Sequence, residues 1–333
     1  MRALAAVTAE RAEDAVLSVR DLTVRFRLRG GRSVAAVSDA AFDLGAGECL
    51  ALVGESGCGK SVLASALLGL LPGNAEASGT ALLAGLPGAG AAPTDLLAAD
   101  EKTLARTVRG RRVGLVPQSP AAHLTPVRTV RSQLEETVRA LTGTPRRARR
   151  KAAEDAAERA AFPPGHLDRY PHELSGGLAQ RAATALALIG DARLLLADEP
   201  TTGLDRDLVD RTVDELRRHV DEGRGLLLIT HDLAAAARIA DRVAVMYAGR
   251  IVEIAPAQRF FGPTGPRHPY ARGLLDALPD RAFTPIPGMP PELSALPDGC
   301  AFAPRCPLAT DLCATRPEPR AGVACHHPEH PRA

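Results

Sequence analysis

Aromatic residues are nearly missing from this chain. They make up 3% of it and tryptophan is absent, so there is no ladder of exposed rings on which nucleobases could stack. A dominant charge is missing too. The net charge is +2, and no face-wide field invites nucleic acid or anionic lipid. No apolar run approaches the ~18 residues that cross a bilayer. The early Ala-Leu-Ala-Ala-Val run is followed at once by Glu10, Arg11, Glu13 and Asp14, unlike a secretory signal. These absences predict a soluble, intracellular protein that would meet a membrane only through a partner. Cysteine is scarce until the end: Cys49 and Cys58 stand apart, then Cys300, Cys306, Cys313 and Cys325 crowd the last tenth of the chain. In a reducing compartment such a cluster points to metal rather than to disulfides.

What is present begins with length and a core. The chain has 333 residues, of which 45% are hydrophobic, enough for one large or two medium domains. Its organising stretch is Gly54-Glu55-Ser56-Gly57-Cys58-Gly59-Lys60-Ser61, which fits the phosphate-binding pattern at every fixed position. Cys49 to Val53 before it suits a buried strand, and Val62 to Leu71 after it suits a helix. Glycines let successive N–H groups turn toward one anion, and the helix start adds partial positive charge. Lys60 is placed to reach β- and γ-phosphates and Ser61 to ligate Mg²⁺.

In chain order, residues 1–14 read as a lead-in. Val16 to Leu28 alternates like a half-buried strand, Gly30-Gly31 turns, and Val34 to Phe42 returns. Phe26 ends the first strand, and its local sequence favours core packing over stacking on an adenine. A short strand is expected at Thr80 to Leu83, a helix over Thr94 to Val108, and a strand at Val113 to Val116 ending in Pro117-Gln118. Residues 119–170 change character. Arg146, Arg147, Arg149, Arg150 and Lys151 lead into a helix reaching Ala161, a run typical of a solvated face. This block reads as an inserted helical subdomain. Strands then recur at Leu194 to Ala197, ending in Asp198-Glu199, at Leu226 to Ile229, ending in Thr230-His231, and in a hairpin around Gly249. Such alternation implies an α/β fold with a mainly parallel sheet, whose ligands sit at strand carboxyl ends. From Pro256 onward prolines multiply and periodicity fades, as in an appendix to the domain.

Asp198 follows its strand as a Mg²⁺-holding acid of a phosphate-loop ATPase should. Glu199 beside it is placed to polarise the attacking water. Leu174-Ser175-Gly176-Gly177-Leu178-Ala179-Gln180-Arg181 opens a helix and offers a second phosphate site. One chain thus carries two half-sites, which makes sense if two such domains face each other and share two nucleotides.

In this order of motifs, over residues 15–255, the chain resembles the ATP-binding-cassette family. The resemblance implies a phosphate-loop core with an antiparallel β subdomain and a helical subdomain at about 119–184. It implies that Phe26 stacks on adenine, that Gly54 to Ser61 hold the phosphates, and that Gln118 senses Mg²⁺ and couples to a transmembrane partner. Ser175, Gly176 and Gly177, with Gln180 in the same motif, would contact the γ-phosphate of the opposite subunit. Asp205 would bridge the dimer, and His231 would grip the γ-phosphate. The catalytic set is then Lys60, Glu199 and His231, and the Mg²⁺ set Ser61, Gln118 and Asp198. Three departures stand near the partner-docking region or the signature turn: Leu178, Pro117, and His123-Leu124-Thr125-Pro126. None removes a catalytic group.

Residues 256–333 narrow the resemblance. His268-Pro269-Tyr270, Ile286-Pro287-Gly288-Met289-Pro290-Pro291 and Cys300-Ala301-Phe302-Ala303-Pro304-Arg305-Cys306-Pro307 are similar to the extension of oligopeptide, dipeptide and nickel importer ATPases. That implies two transmembrane permease subunits, a second ATPase subunit and an external binding protein, with the chain peripheral on the cytoplasmic face of the membrane. A nickel or metallophore cargo is the alternative within transport. A soluble cassette acting on nucleic acid or ribosomes is the alternative of another class, which a single cassette of near-zero charge fits poorly. The cysteine spacing C-x5-C-x6-C-x11-C suits the short paired spacings of structural zinc badly. It suits a [4Fe–4S] cluster better, and related importer ATPases carry one. Zinc, or four unliganded thiols, stay open on sequence alone. The large apolar residues of the tail, Phe302 among them, look isolated between prolines.

Overall fold

The computed structural model describes residues 15–85 and 92–328; the lead-in at 1–14 lies outside them. The chain opens with β1, Ala15–Arg27, and its antiparallel return β2, Ser33–Gly45. β3, Cys49–Val53, is buried at all five positions, as a strand covered on both faces is. The phosphate loop leads to α1, Lys60–Leu67. β4, Ala75–Leu83, and the two-residue β5, Thr94–Asp95, follow. Then come β6, Val113–Val116, α2, Val130–Leu141, α3, Arg149–Arg159, and α4, Gly176–Leu188. β7, Leu194–Asp198, α5, Arg206–Asp221, β8, Gly225–Thr230, and α6, Leu233–Ile239, continue the alternation. β9, Arg242–Tyr247, and β10, Arg250–Pro256, form a hairpin, followed by α7, Ala257–Phe261, and α8, Pro269–Asp276.

These elements fall into two compact units. Among the described residues, one gathers 15–45, 50–85, 92–98 and 230–328; the other holds 46–49 and 99–229. In the first, an antiparallel sheet has the order β2-β1-β4-β5. β3 runs parallel to β9, which pairs antiparallel with β10. The carboxyl-terminal residues return to this unit: Ala324 N–H donates to Val252 O and Ile254 N–H to Gly322 O, each at 2.8 Å. In the second unit β6, β7 and β8 are parallel neighbours, and α2, α3 and α4 pack on one another. The buried face of α3 is Ala153, Ala156 and Ala157, small enough for close helix approach.

Three expectations change. The strand foreseen at Thr80 to Leu83 is longer, because β4 pairs with β1 from Ala75 on. Its outer residues are mostly exposed, so hydrophobic patterning hid them. Thr94 to Val108 is not one helix. Asp95 Oδ1 accepts from Ala81 N–H at 3.1 Å and Leu97 N–H at 3.0 Å, which pulls the chain into β5. The first helical residues come only after Asp100, whose side chain caps Thr103 N–H at 2.6 Å. Phe302 is not isolated. It is 3% exposed and packs edge-on against Tyr247 at 5.3 Å and tilted against Tyr270 at 5.4 Å between ring centroids.

Candidate nucleotide site

The phosphate loop leaves β3 and enters α1. Gly54 has φ 156° and Gly59 φ 109°. A Cβ at Gly54 would meet Met246 O at 2.2 Å, and one at Gly59 would meet Ala36 O at 2.2 Å. Close approach and conformation together require glycine at both places. Lys60 is buried, and its ammonium donates to Gly54 O at 2.8 Å and Glu55 O at 3.1 Å. The loop is therefore curled round a fixed positive charge. Ser56, Gly57 and Ser61 are exposed, while Cys58 is buried. Burial pushes the Cys58 thiol up, against the pull of Lys60, so it stays a neutral packing group. Gly249 N–H donates to Cys58 O at 2.9 Å from the far side.

The same unit carries Phe26 and His231. Phe26 is half-buried near the end of β1, opposite Val34 and Ala75. His231 is exposed and follows the last residue of β8. The chain direction there is set by Thr230 Oγ1, which accepts from Asp232 N–H at 2.9 Å, and by Asp232, which caps α6 through Ala235 N–H at 3.0 Å.

The other unit carries the remaining expected residues. Asp198 ends β7, and Glu199 follows with φ 49° and 7% exposure. Glu199 N–H donates to Ile229 O at 2.8 Å, and Thr202 Oγ1 donates to its carboxylate at 3.4 Å. Left-handed backbone at a buried, non-glycine carboxylate is the strain that functional positions retain. Gln118 is exposed just after β6. Ser175 caps α4 by accepting from Leu178 N–H at 3.4 Å. Asp205 is exposed and caps α5 through Leu208 N–H at 3.0 Å. These two caps are brought together: a Cβ on Gly177 would meet Leu208 Cδ1 at 2.5 Å, while Gly176 stays open to solvent. Gln180 goes the other way. It is 3% exposed, and its amide nitrogen has no hydrogen-bond partner among the described residues.

Phosphate loop, Asp198-Glu199 and His231 each stand at the carboxyl end of a strand, as a nucleotide fold demands. Residues 37–202 match the family described as ABC transporter, and residues 252–313 match the oligopeptide/dipeptide transporter C-terminal region. A Brucella melitensis protein named for peptide import ATP binding is 42% identical over 329 residues, covering 94% of this chain and 95% of its own length. The chain belongs to the ABC transporter family. As an ABC ATPase it binds ATP with Mg²⁺ and hydrolyses it. It is also 40% identical to the dipeptide transport ATP-binding protein DppD of Bacillus subtilis, with 90% and 88% of the two chains covered. It is 42% identical to OppD of Mycobacterium tuberculosis, an oligopeptide transport ATP-binding protein of which it spans about half, 51%. A dimeric ATP-binding cassette bound to ADP and phosphate shares the fold, with TM-score 0.63 and 22% identity over 72% of this chain and 98% of the other. CbiO1 of Clostridium perfringens, part of an ABC transporter complex, gives TM-score 0.62 and 26% identity over 75% and 92%.

The four tail cysteines are free thiols. Among the described residues no group of three or more His, Cys, Asp or Glu side chains is placed to hold a metal ion. Yet Cys325 lies within electrostatic range of Cys300, Cys306 and Cys313, and burial pushes its thiol up to about 11. Burial also raises Cys300 and Cys306. Cys300 N–H donates to Cys313 O at 2.9 Å, which ties two of the loops together. His327 bonds Thr310 at 2.8 Å and His326 bonds Thr315 O at 3.0 Å, so both rings have other partners. No helix of the described residues is long and apolar enough to cross a membrane.

The residues that sequence reading left without a role are Tyr270 and Arg305. Both bond Glu55 of the phosphate loop. Their only signal in the sequence is membership in the His-Pro-Tyr and Cys-Pro-rich motifs of the tail.

Proposed function

We propose that this ABC ATPase powers the import of peptides, as one of two ATPase subunits docked on the cytoplasmic side of a pair of transmembrane permeases fed by an external binding protein. What carries the reading is the oligopeptide/dipeptide region at 252–313, joined to a cassette in one chain, with the peptide-transport names of its relatives in support. In this proposal residues 15–255 act as the cassette, with its helical subdomain at about 119–184, and residues 256–333 as its extension. Lys60 neutralises the β- and γ-phosphates; Ser61, Gln118 and Asp198 serve Mg²⁺; Glu199 orients water and His231 holds the γ-phosphate. Phe26 stacks on the adenine, while Ser175, Gly176, Gly177 and Asp205 serve the facing subunit.

Cys300, Cys306, Cys313 and Cys325 hold a [4Fe–4S] cluster in this reading. What supports a cluster is the wide C-x5-C-x6-C-x11-C spacing, which suits iron and sulfide better than it suits structural zinc, whose spacings are short and paired. The cluster's charge supplies what burial denies, ionisation of the thiols.

The test is reconstitution with a pair of peptide-transport permeases and an external binding protein. Peptide with its binding protein should stimulate ATP hydrolysis, and Lys60→Ala should weaken ATP binding and stop uptake. Unchanged ATP affinity and intact uptake in Lys60→Ala would refute the site. Stimulation by nickel complexes and not by peptides would transfer the cargo to the alternative.

A further inference from the structure

Glu55 is the first variable residue of the phosphate loop, and it is fastened in three directions. Its carbonyl oxygen accepts from Lys60. Its N–H donates to Tyr270 Oη at 2.9 Å. Its carboxylate takes both arms of Arg305, Nη1 at 2.8 Å and Nη2 at 3.0 Å. Tyr270 and Arg305 both lie within 252–313, the region outside the cassette match.

Arg305 is itself held rigid. Its side chain is 5% exposed, its Nε donates to Pro287 O at 2.9 Å, and Nη1 donates to Tyr247 Oη at 3.4 Å. The guanidinium lies 5.8 Å from the Tyr247 ring centroid and 6.0 Å from that of Phe302. A planar fork that stacks and grips a carboxylate at two points is a task lysine does not perform. Tyr270 is equally fixed. Its ring packs on Tyr247 at 4.4 Å, and its N–H donates to His268 Nδ1 at 3.1 Å. His268 N–H in turn donates to the buried Glu253 carboxylate at 2.7 Å, which also accepts from Arg267 N–H at 2.9 Å. The His-Pro-Tyr and Cys-Pro-rich motifs of the extension thus end in one place, on the phosphate loop.

An anion-binding loop works best when its N–H groups are set before the ligand arrives, because ordering them afterwards weakens binding. We propose that Arg305 and Tyr270 are positioning residues for the phosphate loop, clamping Glu55 and so setting the curl in which Lys60 and the loop N–H groups meet the nucleotide phosphates. The inference rests on the ATPase reading of the loop. It gives the extension a part in nucleotide affinity, a part that distance along the sequence conceals.

The test uses the full-length chain, with ATP affinity measured by calorimetry and hydrolysis at steady state. Arg305→Lys keeps charge and loses the fork. Tyr270→Phe removes one hydroxyl, and Glu55→Gln removes the carboxylate charge. Arg305→Lys and Glu55→Gln should each weaken ATP binding about tenfold, the scale of one charge-assisted pair. KM should rise while kcat holds, since the clamp acts on ground and transition states alike. The double variant should be no weaker than either single one, because both lose the same contact. Additive losses, or a lowered melting temperature with unchanged ATP affinity, would overturn the proposal. Should Arg305→Lys not fold, Glu55→Gln and Tyr270→Phe decide the matter by the same affinity and KM readouts. Wild-type chain that neither binds nor hydrolyses ATP would instead overturn the ATPase reading.

Discussion

Glu199 joins burial, a left-handed backbone and a hydroxyl neighbour in one residue. Glu199→Gln keeps its shape and removes the carboxylate that orients water. Hydrolysis should fall by ~10²-fold or more while ATP still binds; turnover near the wild-type rate would remove Glu199 from the catalytic role. At this scale the sequence was most legible where chemistry forces residue types into adjacent positions. Gly54, Gly59 and Lys60 could be read directly because one loop needs all of them within a few residues. Arg305 could not. It is an ordinary charged residue among prolines, and its partner lies 250 positions away. Gln180 shows the opposite difficulty. Its place in a motif says nothing of its direction, and the side chain is buried in the helix packing.

Helix α5 carries the next prediction. It turns Val213, Glu215, Leu216, His219 and Val220 inward, so a carboxyl shares its apolar face. Burial pushes Glu215 from 4.5 up to about 7, opposed by Arg181 and Arg218. Between those two values the folded chain holds a proton that the unfolded chain has released. Stability must then fall as pH rises from 4.5 to about 7, and level off above. Glu215→Gln should flatten that slope and melt higher than wild type on its alkaline side, as thermal unfolding across the range will show. Parallel curves for the two proteins would refute it. Elements were legible when their periodicity was strong: β3, β7 and β8 stand where apolar runs stopped at Gly, Asp and Thr. β5 was not, because Asp95 and Asp100 take backbone N–H groups with their side chains and so override the helix propensity around them. Position in a helix pattern cannot reveal that competition.

For the whole molecule, the tail whose apolar residues look isolated in the sequence is sewn to β10 by residues 322–324 and built into the aromatic packing by Phe302. A cluster on the four cysteines would add to that frame. Anaerobic purification should yield a coloured protein with about four irons per chain and matching sulfide. Cys306→Ser should lose both. Colourless, iron-free wild-type protein with a protease-resistant tail would rule the cluster out, and stoichiometric zinc would put the other metal in its place.

The clamp on Glu55 also has a schedule. Glu55 and Arg305 are 250 residues apart, and at about 5–20 residues per second roughly 10–50 s of synthesis separate them. Through that interval the nascent phosphate loop exists without its clamp. Competence for tight nucleotide binding therefore arrives late, once the extension has emerged, and a chain cut short before Arg305 would leave the ribosome with a complete motif and a loosened grip.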